Sequence, residues 1–327
     1  MKSVAYTCPF VPAEWIAAHR LRPHRIIPRA ASTSAAVVPT GMCPYVLAFH
    51  ESACRSEPAE AVIVTTACDQ MRRAAELIER DCDRPVFLMN VPSVWQTASA
   101  LKLYVDELKR LGAFLVRLGG AAPSTEFLIE VMLKYDAARS AVRAARGLIS
   151  PRRHAELIVE SCRGVDPAID LDSPAAAGPA TGVPLALVGG PLRREDLVIF
   201  DLVEAAGGTV VLDGTDAGER TMPAAFNRRR LRGDPLTELA DAYFGSIPAA
   251  FRRPNSGLYQ WLKAELARRD VRGIVFVHYL WCDIWQAELG RLKEWAGTPV
   301  LDLDISGQDD SATRVKGRIE SFLEMLQ

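Results

Sequence analysis

The 327-residue sequence has no apolar run of 18 residues, no excess of either charge, no compact zinc or ferredoxin cysteine pattern and no G-x-x-x-x-G-K-[ST] string. The first absence leaves no segment that reads as a transmembrane helix. With Lys+Arg 39 against Asp+Glu 40, the net charge of −1 exerts no long-range pull on nucleic acid or an anionic membrane. Any anionic ligand must then be met by local arginine clusters. Without a P-loop the chain has no evident means of energising itself with ATP. The opening MKSVAYTCPFVPAEW carries one lysine and no apolar stretch long enough for a signal peptide, so a cytoplasmic location is expected. Thiols stay reduced there, and seven cysteines (8, 43, 54, 68, 82, 162, 282) are an odd number, so no disulfide framework is expected. Metal binding, catalysis and plain burial remain open.

What is present is an ordinary globular composition, 49% hydrophobic and 24% charged, in a chain long enough for two units. The β-branched run AVIVTT (61–66) leads into CDQMRRAAELIER, where Met71, Ala74, Ala75 and Ile78 recur at helical spacing. A second strand, VFLMNVP, follows Pro85, and then an amphipathic stretch from Ser93 to Leu111 ends at Gly112. This β-α-β-α order implies parallel strands with crossover helices. The C-terminal end repeats it: GIVFV (273–277), a helix from Cys282-Asp283 to Trp295, VLDLD after Thr298-Pro299, and a helix from Ser311 to Leu326. Superposing Cys68-Asp69 on Cys282-Asp283 brings Pro85 onto Pro299 without a gap, since 85 − 68 and 299 − 282 are both 17. Order, spacing and element type agree over both segments, which points to an internal duplication.

Between the repeats, Tyr135 to Cys162 reads as helical and DSPAAAGPATGVP (172–184) as a linker. The expected layout is an N-terminal α/β domain over 1–134, a helical connector and linker over 135–182, and a C-terminal α/β domain over 183–327. The fold class is α/β, two similar parallel-sheet, flavodoxin- or Rossmann-like domains. The second domain opens with a strand–glycine turn–helix–strand unit, where Gly189-Gly190-Pro191 is either a tight connection or an anion site at a helix start.

Ligands of open parallel sheets bind beyond the carboxyl ends of the strands. Cys68 and Cys282 fall there, each at a predicted helix start that favours a thiolate for metal ligation or nucleophilic attack. Asp69 and Asp283 read as first-turn helix residues. Cys43 lies in TGMCPY, a loop whose glycine and proline let backbone and thiol approach a ligand. The intervals alone, 24 residues from Cys43 to Cys68 and 213 from Cys68 to Cys282, do not separate a metal site from buried free cysteine.

The strings TCPFVPAEWIAAHRLRP, TGMCPYVLAF, VIVTTACDQMRRAAE, FVHYLWCDIWQAELGRLKE, TPVLDLD and RVKGRIESFLEML resemble, in order, the cysteine-bearing and C-terminal blocks of the 2-hydroxyacyl-CoA dehydratase / benzoyl-CoA reductase family. The resemblance implies two similar α/β domains with a [4Fe–4S] cluster between them, held here by Cys43, Cys68 and Cys282. It also implies a single-electron reduction of an acyl-CoA thioester that permits loss of water, with the electron from an ATP-dependent iron–sulfur activator. The partners would be a related second cluster-binding subunit or a second copy, and an acyl-CoA substrate. The chain reaches the P-x-E block (Pro12, Glu14) almost at once, so N-terminal interface helices are expected to be reduced.

Second-tier substrate contacts are expected at Gly189 and Gly190 and at Glu219 and Arg220 of the block LDGTDAGERTMPAAF. Arg228, Arg229, Arg230, Arg232, Arg252 and Arg253 read as a solvated face or subunit contact before a CoA-phosphate site. Tyr279, Trp281 and Trp285 read as core around Cys282, His278 as a satisfied histidine, and Cys8, Cys54, Cys82 and Cys162 as structural. Rival functions are a benzoyl-CoA reductase-type subunit, a double-cubane cluster reductase of small molecules, and a non-catalytic scaffold subunit.

Overall fold

The computed structural model describes residues 1–31, 41–56, 59–163, 182–307 and 311–327; Thr40 and most of the expected linker lie outside them. The first half runs β1 (Ser3–Tyr6), α1 (Ala13–Ala18), β2 (Arg22–Arg25), α2 (Pro44–Glu51), β3 (Ala61–Thr65), α3 (Asp69–Asp81), β4 (Val86–Met89) and α4 (Ala98–Arg117). Two helices follow, α5 (Thr125–Ala144) and α6 (Pro151–Ser161). The second half contains β5 (Val183–Gly189), α7 (Val198–Ala205), β6 (Gly208–Gly214), α8 (Arg228–Gly233), α9 (Pro235–Ala240), α10 (Ser256–Arg268), β7 (Gly273–His278), α11 (Asp283–Trp295), β8 (Val300–Asp304) and α12 (Ser311–Leu326).

Both sheets are four-stranded and parallel, with orders β2-β1-β3-β4 and β6-β5-β7-β8. Matching β1 to β5, β2 to β6, β3 to β7 and β4 to β8 makes the two orders identical. The expected α/β class with two similar parallel sheets therefore holds. Central strands bury both faces, as parallel sheets require: Ala61 and Ile63 enter one core while Val62 and Val64 enter another. In β7, Val275 and Val277 join Val62 and Val64 in a core shared by the two halves, and Ile274 and Phe276 face α10 and α11.

Several boundaries differ from the sequence reading. The N-terminal segment supplies two strands, β1 and β2, on either side of the short helix α1. The long amphipathic helix starts at Thr97, whose Oγ1 accepts the Ala100 N–H at 3.1 Å, and continues through Gly112 to Arg117. Gly112 is kept because a Cβ there would lie 3.0 Å from both Trp15 and His19, which pack onto the bare backbone. The stretch 135–162 is two helices, broken at Gly147 (φ +75°) and restarted by Ser150, which caps α6 ahead of Pro151. The position 134/135 falls inside α5.

The halves are locked by buried polar ties. Glu14 of α1, fully buried, pairs with Arg139 of α5 and accepts the Tyr243 hydroxyl at 2.6 Å. Arg25, at the end of β2, donates to the carbonyls of Thr7 at 3.1 Å and Asp216 at 2.7 Å.

Candidate functional site

A cleft with about 820 Å³ of empty space, counted out to solvent, opens where the strand ends of both sheets meet. Cys8, Cys43 and Cys68 line it from the first half, and Pro191, Asp216, Trp281, Cys282 and Trp285 from the second. Three of these cysteines share one local design. Cys43 is the N-cap of α2 with Pro44 behind it, Cys68 the N-cap of α3, and Cys282 the N-cap of α11. None of the three sulfurs caps its own helix, so the carbonyls start the helices while the thiols stay available to the cleft. Three helix N-termini thus bring their positive ends to one cavity. Gln70, in the first turn of α3, ties two of them together: its Oε1 accepts the Cys43 N–H at 3.2 Å and its Nε2 donates to the Gly41 carbonyl at 3.3 Å. Gly41 has φ +82°, a turn that needs glycine.

Burial dominates the thiol chemistry. It pushes the Cys43 thiol up to about 11 against the counter-effect of the Tyr45 and Val46 N–H groups. Cys68 is raised for the same first cause, and Cys282 is raised further by burial and then by the charge of Cys43. At neutral pH, isolated thiols here stay protonated, which disfavours the nucleophile reading left open by the sequence. A soft metal centre, by contrast, displaces those protons with its own charge, and three converging sulfurs are a donor set for iron or zinc.

Around the sulfurs the walls are mostly apolar. Trp285, buried, points Nε1 toward Asp216 Oδ2 at 3.4 Å. Tyr279 is wholly buried, its hydroxyl bonded to Asp196 and to the Arg193 N–H, 3.0 Å away. Trp281 is not core: it is 46% exposed, lines the cleft and holds φ +66° immediately before Cys282. A bulky side chain in that region stores strain.

The second-tier residues separate. Gly189 (φ +150°) lets β5 pass β7, since a Cβ would lie 2.0 Å from the Val277 oxygen. Gly190 lies beside the cleft, where a Cβ would come 3.1 Å from Trp285 and 3.7 Å from the Cys282 sulfur. The anion-site reading of this turn is displaced by Asp196, whose carboxylate already takes the Arg193 N–H at 2.8 Å and the guanidinium. Glu219 pairs with Arg269 and Arg146, and Arg220 is fully buried, bonded to the Gly214 and Pro248 carbonyls and to Asp216. Neither lines the cleft; Arg220 instead positions Asp216, which does. Sequence reasoning missed Asp216 and Gln70, and left Cys8 as structural although it lines the same wall. The nearest signals were the polar LDGTDAGER turn and the Cys8-Pro9 pair, which follows β1 as Gly190-Pro191 follows β5.

Of the arginines, Arg228 and Arg230 pair with Asp136 and with Glu238 and Asp241. Arg252 is buried, 4.6 and 4.3 Å over the Phe10 and Phe244 rings. Arg253 lines an open polar groove just outside Cys68, together with Asn90, Arg72 and Asp283. His278 is satisfied by Asp302 at 2.9 Å. Contrary to the expectation of no disulfide, Cys54 and Cys82 are joined, with Cα atoms 5.3 Å apart, because the ends of α2 and α3 abut.

Among solved structures the chain is similar to a Mn-bound periplasmic metal binding protein from Candidatus Liberibacter asiaticus, at 7% identity and TM-score 0.27 over 100% of both chains. It is also similar to a mutant laminin-binding adhesin from Streptococcus agalactiae, at 10% identity and TM-score 0.24, again over 100% of both. Both likenesses are too weak to carry an argument. No curated protein matches. The family model for 2-hydroxyglutaryl-CoA dehydratase, D-component, matches residues 8–326, from the first cleft cysteine to the last helix. By that match over nearly its whole length, the chain belongs to the 2-hydroxyglutaryl-CoA dehydratase D-component family.

Proposed function

We propose that Cys43, Cys68 and Cys282 hold a [4Fe–4S] cluster and that the chain is the cluster-bearing subunit of a 2-hydroxyacyl-CoA dehydratase-type enzyme. The observation that carries this reading is the convergence of three N-cap cysteines from both halves on one buried cleft. A bound cluster would supply single electrons at low potential, with an iron left open by having only three thiolates.

The chain's own residues bind, orient and exclude water. Phe251, Ile284 and Trp285 close the cleft with apolar surface, so that charge inside it is felt strongly. Asp216, fixed by Arg220 and facing Trp285, is the one carboxylate on the cleft wall among the described residues and is placed to orient a hydroxyl or accept its proton. The groove outside Cys68, with Arg72 and Arg253, offers cationic groups on the approach for an acyl-CoA. The electron must come from outside, from an ATP-dependent iron–sulfur activator, in keeping with the missing P-loop. A related second subunit or a second copy would complete the enzyme.

The test is anaerobic turnover of the chain with a related second subunit and the activator. A 2-hydroxyacyl-CoA should lose water to give the enoyl-CoA, and Cys68→Ser should abolish this. Reduction of benzoyl-CoA instead would favour the ring reductase. Reduction of small molecules with a higher iron content would favour the double-cubane type. Unchanged turnover in Cys68→Ser would contradict the proposal.

A further inference from the structure

Helices α2 and α3 begin at the cleft with Cys43 and Cys68, and their other ends carry a second group of soft donors. His50 lies in the last turn of α2, Cys54 in the π-helical turn that follows, and Cys82 is the C-cap of α3. One ring nitrogen of His50 and the sulfurs of Cys54 and Cys82 all lie within 4.8 Å of one another. Asp81 adds a carboxylate, 3.0 Å from His50 Nε2. With 13 residues in α3, this group stands about 20 Å from the cleft.

We propose that His50, Cys54 and Cys82, in their dithiol state, form a binding site for a zinc-class divalent cation, independent of the cleft. The donor set is the mixture of imidazole and thiolate that zinc prefers, with a fourth position for water. Tetrahedral zinc needs about 3.8 Å between sulfurs and about 3.6 Å from sulfur to nitrogen, so side-chain rotation from the observed cluster suffices. A disulfide alone would account for the two sulfurs but not for a histidine and its carboxylate beside them. Carboxylate partners of this kind orient metal-ligating histidines. Two helix C-termini meet here, and their negative ends favour a cation. His50 and Asp81 are partly exposed, with side-chain accessibilities of 24% and 33%, so an ion can reach them. Two thiolates and Asp81 carry three negative charges against two on the ion, and Arg80, bonded to Asp81 at 2.6 Å, offsets the remainder.

The Cys54–Cys82 bond must first open. An added dithiol reduces it, becoming a disulfide itself and leaving two thiols, and binding of the ion then releases their two protons to the buffer.

The full chain, reduced under nitrogen, desalted and loaded with Zn²⁺, is compared with Cys54→Ser/Cys82→Ser, the cleft cysteines being common to both. The wild type should retain about one more zinc per chain than the double variant. His50→Ala should weaken that extra equivalent by at least about tenfold, and Co²⁺ in its place should give thiolate-to-cobalt absorption. Oxidising the wild type with diamide should release the extra ion, a comparison that holds even where the double variant folds poorly. Equal zinc in the wild type and the double variant, no release on oxidation, or no effect of His50→Ala would overturn the proposal. Because the readout is zinc at residues outside the cleft, its failure leaves the cluster proposal untouched.

Discussion

Gln70 shows how a single side chain can couple two cleft cysteines that are far apart in sequence. Its amide spans the Cys43 loop and the start of α3, and two neutral hydrogen bonds are worth about 1–3 kcal/mol together. Gln70→Ala should therefore leave the fold in place but lower iron retention after reconstitution severalfold. Iron content and thermal unfolding measured on the same sample would separate the two effects. Trp281 is a second case. Replacing it by glycine removes strain of about 1–2 kcal/mol at φ +66°, so the apo chain should gain stability while the cleft, now less covered, loses its cluster faster in air. The raised cysteines give a pH prediction with a definite sign. Burial keeps Cys43 protonated up to about 11, above the ordinary value of 9.0. This contribution to stability is fully present below pH 9 and is lost as the pH rises through about 11. The metal-free chain should thus show a falling Tm between pH 9 and 11, whereas the metal-loaded chain, with the three cleft thiols already deprotonated, should fall less, the remainder coming from Cys8, which burial also raises to about 11. That Cys43, Cys68 and Cys282 would line one cleft could be read from the sequence through the resemblance. Gln70 and Asp216 could not, because their roles depend on which loops the topology brings together.

At the level of elements, strands with both faces buried were the most legible. AVIVT and GIVFV carry only apolar and β-branched residues, and the helices after them begin at the cysteine that the spacing singled out. β2 was not legible. Its sequence RPHR lies at a sheet edge, where Pro23 costs no ladder hydrogen bond and arginine and histidine remain tolerable. β1 is only four residues long, and without its pairing partner SVAY carries little signal. Gly112 misled for the opposite reason: it looks like a helix stop but serves as a contact surface for Trp15 and His19. The Glu14–Arg139–Tyr243 group decides how α1 sits on α5 and on the segment after α9. Without Glu14, buried Arg139 keeps only the longer contact to Asp136 at 3.7 Å, and breaking a buried pair costs about 3–5 kcal/mol. Glu14→Ala should lower unfolding free energy by that amount in urea, and Glu14→Leu/Arg139→Met should recover much of it.

Over the whole molecule, the shared strand order of the two sheets extends the repeat beyond the segments where it was first read, to the β1-α1-β2 and β5-α7-β6 units. The repeat is not rigidly spaced. Val62 pairs with Val86 and Val275 with Leu301, so the second register runs two residues longer, an even step that leaves Val62 and Val275 both facing the shared core. This duplication places two sets of strand ends against one cleft, and Arg25, bridging the Thr7 and Asp216 carbonyls, holds them there. That this cleft holds a cluster on three cysteines is the proposal. Its most direct test is iron and acid-labile sulfide content, measured under nitrogen on the wild type and on Cys→Ser variants at positions 43, 68, 282, 54 and 82. The wild type and the variants at 54 and 82 should carry about four irons and four sulfides per chain, and the variants at 43, 68 and 282 should lose both. A full complement in Cys68→Ser, or in all five, would contradict it.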